Sequence, residues 1–260
     1  MGKFQICWRA MWTRAKIRVV ITINPGWFAA GGVCAAGGLF AWGAVAHGSQ
    51  LFGRTLRRLD DASSLAITFD DGPNTAVTPG VLELLARHNA TATFFLIGQR
   101  VRAFPALARE IASRGHAIGN HTETHPSLTF LSPGRIAEEL ERCDDAIFAA
   151  TDKKARWMRP PFGYRSPLLD SIVRQRGGAG VAMWNVAAKD WKTHAPEPVI
   201  QRLRRARGGD IVLLHDGDHR ELEGKRGHVL TALEYWLPRW RDAGLQFVNL
   251  DEGQLKTQAG

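Results

Sequence analysis

From about residue 62 the chain alternates seven short runs of β-forming residues with six amphipathic helical stretches, and this alternation restricts the fold most. The strand-like runs are 65–69, 91–97, 116–119, 156–158, 181–186, 211–215 and 246–250. Between them, 79–88, 105–114, 133–150, 168–176 and 198–207 have helical periodicity, and four of these begin at proline, which suits a first helical position. The last helix carries Val229, Leu233, Trp236, Leu237 and Trp240 on one face, so these side chains are read as core. Strand–helix alternation of this kind gives a parallel α/β architecture, either a barrel or a doubly wound sheet. In both, function gathers at the C-terminal ends of the strands.

Several strand ends carry chemistry-bearing residues. The first run leads into Asp70-Asp71-Gly72-Pro73, which places two carboxylates at the lip of a buried strand. Ionised carboxylates there are costly unless a metal or a cation pairs with them. Taken alone, Asp-Asp-Gly reads equally as a turn facing water. After the third run come His121 and His125, whose i, i+4 spacing on one helical turn would aim both imidazoles the same way. With Asp71 they make a set of two nitrogens and one oxygen, a catalytic zinc pattern that also suits other divalent metals.

Arg159 follows the short fourth run, ahead of two prolines, and is placed to pair with a strand-end aspartate. Lys189-Asp190-Trp191 follows the fifth; Asp190 would orient a histidine and Trp191 would wall an apolar pocket. The sixth run ends in His215, a reasonable general acid or base just past an apolar strand. His219, His228 and the charged stretch 218–226 read as a solvated loop in preference to one that overhangs the site, and the RLRRAR run at 202–207 reads as an exposed helix face in preference to an anion-binding one.

The charge is unevenly placed. Residues 1–58 hold eight bases and no acid, whereas the remainder has 26 bases against 25 acids. A nucleic-acid surface should lie on the folded domain, so this distribution argues against nucleic acid as a partner. Residues 27–46 contain no charge in twenty positions, enough to cross a bilayer, with Trp27 and Trp42 near the ends. A transmembrane anchor is the leading reading, with the domain outside the cytoplasm by the positive-inside rule. A signal peptide cleaved after Ala44-Val45-Ala46, and a disordered or surface-bound arm, are the alternatives. The domain division is therefore 1–58 and 59–260. Three cysteines, Cys7, Cys34 and Cys143, define neither a disulfide framework nor a zinc site.

TFDDGP (68–73), HTETH (121–125), RPPFG (159–163), DW (190–191) and LLH (213–215) together resemble, in order, the five motifs of the polysaccharide deacetylase family, also known as the NodB homology domain or carbohydrate esterase family 4. The resemblance spans roughly residues 62–252. It implies a distorted (β/α)7 barrel that removes N-acetyl groups, or O-acetyl groups, from an acetylated glycan of the cell envelope or a chitin-like oligosaccharide. It also implies that Asp71, His121 and His125 hold a divalent metal, zinc first. Asp70 is then the general base, paired with Arg159, and His215 is the general acid, oriented by Asp190. Trp191 and Leu213 line the slot for the acetyl methyl, and the Tyr164 N–H helps bind the oxyanion. One departure is visible: many members carry another acid shortly before DW, where this chain has Ala187 and Ala188. Two alternatives share the chemistry-bearing residues: a deacylase or deformylase of a lipid-linked sugar at the membrane, and a non-catalytic, membrane-tethered carbohydrate-binding module. No obligate protein partner is expected.

Overall fold

The computed structural model describes residues 37–253. The chain divides into two units, 1–42 and 43–260. Of the apolar segment 27–46 expected as an anchor, 27–36 lie outside the described residues, and the backbone is helical over 37–45. Among the described residues no helix is long and apolar enough to cross a membrane.

The larger unit is built on one parallel sheet. In chain order its elements are β1 (Thr55–Leu56), β2 (Ser64–Gly72), α1 (Thr78–Arg87), β3 (Thr93–Leu96), α2 (Gly98–Ala103), α3 (Pro105–Ser113), β4 (Ala117–Asn120), α4 (Pro133–Thr151) and β5 (Trp157–Met158). They continue with α5 (Leu169–Gln175), β6 (Gly180–Ala182), β7 (Val186–Ala187), α6 (Pro196–Leu203), β8 (Ile211–His215), α7 (Gly227–Asp242) and β9 (Gln246–Phe247). The strand order is β1-β6-β5-β4-β3-β2-β8-β7, with β9 paired to the start of β2.

Among the described residues β7 pairs only with β8, and β1 only with β6, so the sheet curls but stays open between them. The parallel α/β architecture is as expected, and the distortion of the expected (β/α)7 barrel takes the form of an open, curled half-barrel. Both edge strands are two residues long, too short to form a continuous ladder across the gap. β1 was not expected at all. It lies within the stretch read as a basic arm, where its short apolar signal is lost among Arg54, Arg57 and Arg58.

Three further differences have local causes. The run 181–186 is split, because β6 pairs with β5 and β1 while β7 changes neighbour to β8. The extra helix α2 begins directly after β3, where Gly98 and Gln99 donate backbone hydrogen bonds to Thr122 and Glu123. The helix expected over 198–207 is α6, which starts at Pro196 and ends at Leu203.

Strand β2 is buried along its whole length, as a central parallel strand should be. Its alternation sorts the two faces. Leu65, Ile67 and Phe69 join the main core under the helices, while Ala66 belongs to a cluster with Phe95, Trp157 and Ile211. Thr68 and Asp70 share the parity of Ala66 and so occupy the inner face of the curl. Phe94 anchors the outer core, stacked on Phe69 at 4.9 Å between ring centroids. Phe94→Ala should lower the unfolding free energy by about 3–5 kcal/mol in chemical denaturation, the usual cost of an emptied aromatic site.

Candidate active site

The C-terminal ends of β2, β4, β5, β7 and β8 meet on one rim. Two consecutive side chains of a regular strand point to opposite faces, so Asp70 and Asp71 need a device to serve one site. That device is an irregularity in β2. Asp70 pairs with Phe95 and Gly72 with Leu96, which leaves Asp71 as an extra residue at φ +69°. Two glycines make room for the bend. A Cβ on Gly72 would lie 2.5 Å from an Asp216 carboxylate oxygen, and one on Gly217 would lie 2.0 Å from the Asp71 carbonyl oxygen.

Asp71 Oδ1 lies 3.3 Å from His121 Nε2 and 3.1 Å from His125 Nε2. Candidate ligand atoms from these three buried residues all lie within 4.8 Å of one another. The histidines do not sit on a helical turn, contrary to the sequence expectation. They follow β4 in an irregular loop whose Thr122 and His125 have φ of +66° and +59°, and the reversal brings the rings to 4.9 Å. The Arg159 carbonyl accepts from His121 Nδ1 at 2.7 Å, which leaves Nε2 free to act as a ligand.

Arg159 is wholly buried. Its Nη1 donates to Asp70 Oδ1 at 2.8 Å and to Thr68 Oγ1 at 2.7 Å. Nε and Nη2 donate to the carbonyls of Ala182 and Met183, the point where the sheet breaks between β6 and β7. The guanidinium lies 4.1 Å from the centroid of the Phe95 ring. Burial lowers its pKa, and the Asp70 charge opposes that shift.

Asp70 pairs in register with His215 of β8. Asp190, also buried, accepts from the His215 backbone N–H at 3.0 Å and from its Nδ1 at 3.1 Å. Burial works against a charged His215, but Asp190, with help from Asp71 and Asp70, outweighs it and pushes the pKa up to about 9. Trp191, partly exposed, makes a T-shaped contact with the His215 ring at 5.1 Å between centroids. Leu213, two residues before His215, shares its face of β8 and is buried. The Tyr164 N–H, expected to face an oxyanion, donates instead to the Pro161 carbonyl at 3.1 Å, because residues 161–163 close a 3₁₀ turn.

The sequence reading gives Thr68 and Phe162 no place in this site, and it ranks His219 as a loop residue ahead of one overhanging the site. His219 stacks on His125 at 4.4 Å, with Nδ1 3.7 Å from Asp71 Oδ2, and Phe162 meets both imidazoles edge-on. His228 is likewise not in a solvated loop; it is buried, and its Nε2 lies 3.1 Å from the Asp190 carbonyl. The signal available for His219 was its place four residues after His215, which spacing alone does not separate from an ordinary loop histidine.

The polysaccharide deacetylase family model matches residues 58–181. A chitooligosaccharide deacetylase of Azorhizobium caulinodans is 37% identical over 209 residues, covering 75% of this chain and 96% of the relative. The chain belongs to the polysaccharide deacetylase family. Its members are hydrolases acting on the amide bonds of acetylated glycans. A peptidoglycan N-acetylglucosamine deacetylase of Bacillus cereus is 35% identical over 190 residues, covering 72% of this chain and 86% of the relative. Among solved structures, a CE4 family pseudoenzyme from Bacillus anthracis superposes with a TM-score of 0.68 at 29% identity, covering 76% of this chain and 68% of that one.

Because Asp190 holds the His215 proton, Asp190→Asn should move the alkaline limb of the pH–rate profile down from about pH 9. A limb that stays in place would remove His215 from the titration.

Proposed function

We propose that the chain is a metal-dependent N-deacetylase of an N-acetylglucosamine-containing glycan. The observation that carries this reading is the division of labour between two adjacent aspartates. Asp71 Oδ1 is buried without a hydrogen-bond donor and faces two imidazole nitrogens, while Asp70 is paired with Arg159. An orphaned carboxylate oxygen with two nitrogen neighbours fits a divalent cation with positions left open, and zinc suits this set. Such an ion, when bound, polarises the acetyl carbonyl and acidifies water.

The protein groups then act as follows. Asp70 accepts a proton from the attacking water, and Arg159 balances its negative charge before that step. The water oxygen bonds to the acetyl carbon. His215 gives the proton held at Nε2 to the departing nitrogen, the C–N bond breaks, and acetate and a free amine result. Asp190, bonded to Nδ1, fixes the ring so that Nε2 faces the substrate. Trp191 and Leu213 bound the methyl slot. The exposed rings of Phe162, Tyr164 and Trp191 suit the apolar faces of pyranose rings.

Chitooligosaccharide and peptidoglycan deacetylases among the relatives support this substrate class. Likeness to a pseudoenzyme makes the catalytic constellation, not the fold, the deciding feature, and the reading is supported here by the Asp71–His121–His125 cluster and the His215–Asp190 contact. Anchoring through residues 27–46, with the domain outside the cytoplasm, belongs to the same proposal and rests on the charge-free stretch and the basic residues before it.

Acetate release from chitooligosaccharides and peptidoglycan by the zinc-loaded protein tests the reaction. Asp70→Asn should lower kcat by about 10²–10⁴-fold while metal content stays the same. Equal turnover would take Asp70 out of the base role. His121→Ala should lose metal, by elemental analysis, together with activity; stoichiometric metal in that variant would contradict the ligand assignment.

A further inference from the structure

A cavity of about 850 Å³ lies along the open edge of the sheet, lined by β7 on one side and by Arg57, the residue after β1, on another. Six cations line it: Arg57, Lys189, Arg202, Arg204, Arg205 and Arg207. Among the described residues no carboxylate lies within ion-pair distance of any of them. The single acid in the lining, Asp210, is already engaged by Arg58 Nη2 at 2.9 Å, by Asn185 Nδ2 at 2.6 Å and by the Arg207 backbone N–H at 3.0 Å. Arg57 Nε is buried without a hydrogen-bond partner.

The RLRRAR run supplies four of these cations; Arg204, Arg205 and Arg207 are exposed, as the sequence leads one to expect, but they do not continue the helix. Helix α6 stops at Leu203, and bonds from Arg205 N to Arg202 O and from Ala206 N to Leu203 O tighten the following residues into turns. Arg204, Arg205 and Arg207 thereby line the cavity. Like charges gathered along one concave surface repel one another and focus a positive potential, which favours an anion that enters. Five of the six are arginines, whose planar fork matches phosphate oxygens two at a time.

We propose that this cavity is a binding site for a phosphate-bearing group. It adjoins the catalytic rim. Lys189 directly precedes Asp190, and Trp184, also in the lining, lies 5.5 Å from the Arg159 guanidinium. The volume exceeds what one phosphate needs and leaves room for a diphosphate with an attached sugar or lipid. The chain enters this region through His47, one residue beyond the apolar segment, so a lipid headgroup and a soluble phosphate ester share the chemistry.

Calorimetric titration of the full-length protein with inorganic pyrophosphate at low salt tests the site without using turnover. Binding should weaken at least about tenfold in the Arg204→Gln/Arg205→Gln/Arg207→Gln variant, since each lost charge removes a phosphate contact. It should persist in His121→Ala, which separates this cavity from the proposed metal centre and a failure here from a failure of the deacetylase reading. Phenylglyoxal labelling of the unaltered protein, mapped by mass spectrometry, gives a second measurement independent of the variant's folding. Protection of Arg202–Arg207 by pyrophosphate points to a soluble phosphate. Protection by phosphatidylglycerol vesicles, and not by phosphatidylcholine vesicles, points to a lipid. No protection by either ligand, or equal pyrophosphate binding by the triple variant, overturns the proposal.

Discussion

The buried contact between Arg159 and Asp70 is the constraint on which the rest of the site depends. A guanidinium with no solvent access must find partners for its donors, because an unpaired buried charge costs several kcal/mol. Arg159 finds them on Thr68 and Asp70 of β2 and on the Ala182 and Met183 carbonyls. Those carbonyls are available because the chain leaves the ladder after β6. The break in the sheet and the charge of the site are thus two sides of one arrangement. The Arg159 backbone takes part as well, since its carbonyl accepts from His121 and so sets which imidazole nitrogen is free.

Around this contact the backbone is bent where function requires it. Of the seven non-glycine residues with positive φ among the described residues, Asp71, Thr122, His125, Phe162 and Lys189 belong to the loops that build the rim. Such conformations are disfavoured for L-residues and persist where neighbouring contacts over-determine them. Here the neighbours are close indeed: neither Gly72 nor Gly217 has room for a side chain. The strand end and the loop after β8 therefore fit only as a pair, which locks Asp71 beside the histidines.

Much of this was legible in the sequence. Strand-like runs ending in charged or polar residues located the rim, and β8 fell within the bounds that its apolar run marked. What stayed hidden depends on long-range pairing. Two-residue strands such as β1 and β7 carry too few side chains for a periodic signal, so the open edge had no counterpart in the pattern. The His121–His125 spacing was informative but its geometry was misread, because i, i+4 contact arises as well from a loop with left-handed residues as from a helical turn. His219 became visible only when the loop after β8 folded back over Asp71.

The open edge also bears on what the basic residues are for. An unpaired strand edge invites pairing with another chain, and short strands flanked by lysine and arginine discourage it. Arg57 and Lys189 beside β1 and β7 fit that protective role on their own. Arg202, Arg204, Arg205 and Arg207 do not, because they come from the end of α6 and the turns after it, not from an edge strand. Charges needed only to keep an edge soluble gain nothing from converging on one concavity, where their mutual repulsion is greatest. Convergence without a carboxylate partner is the arrangement that an anionic ligand would stabilise, and the same opening that prevents barrel closure gives that ligand its way in.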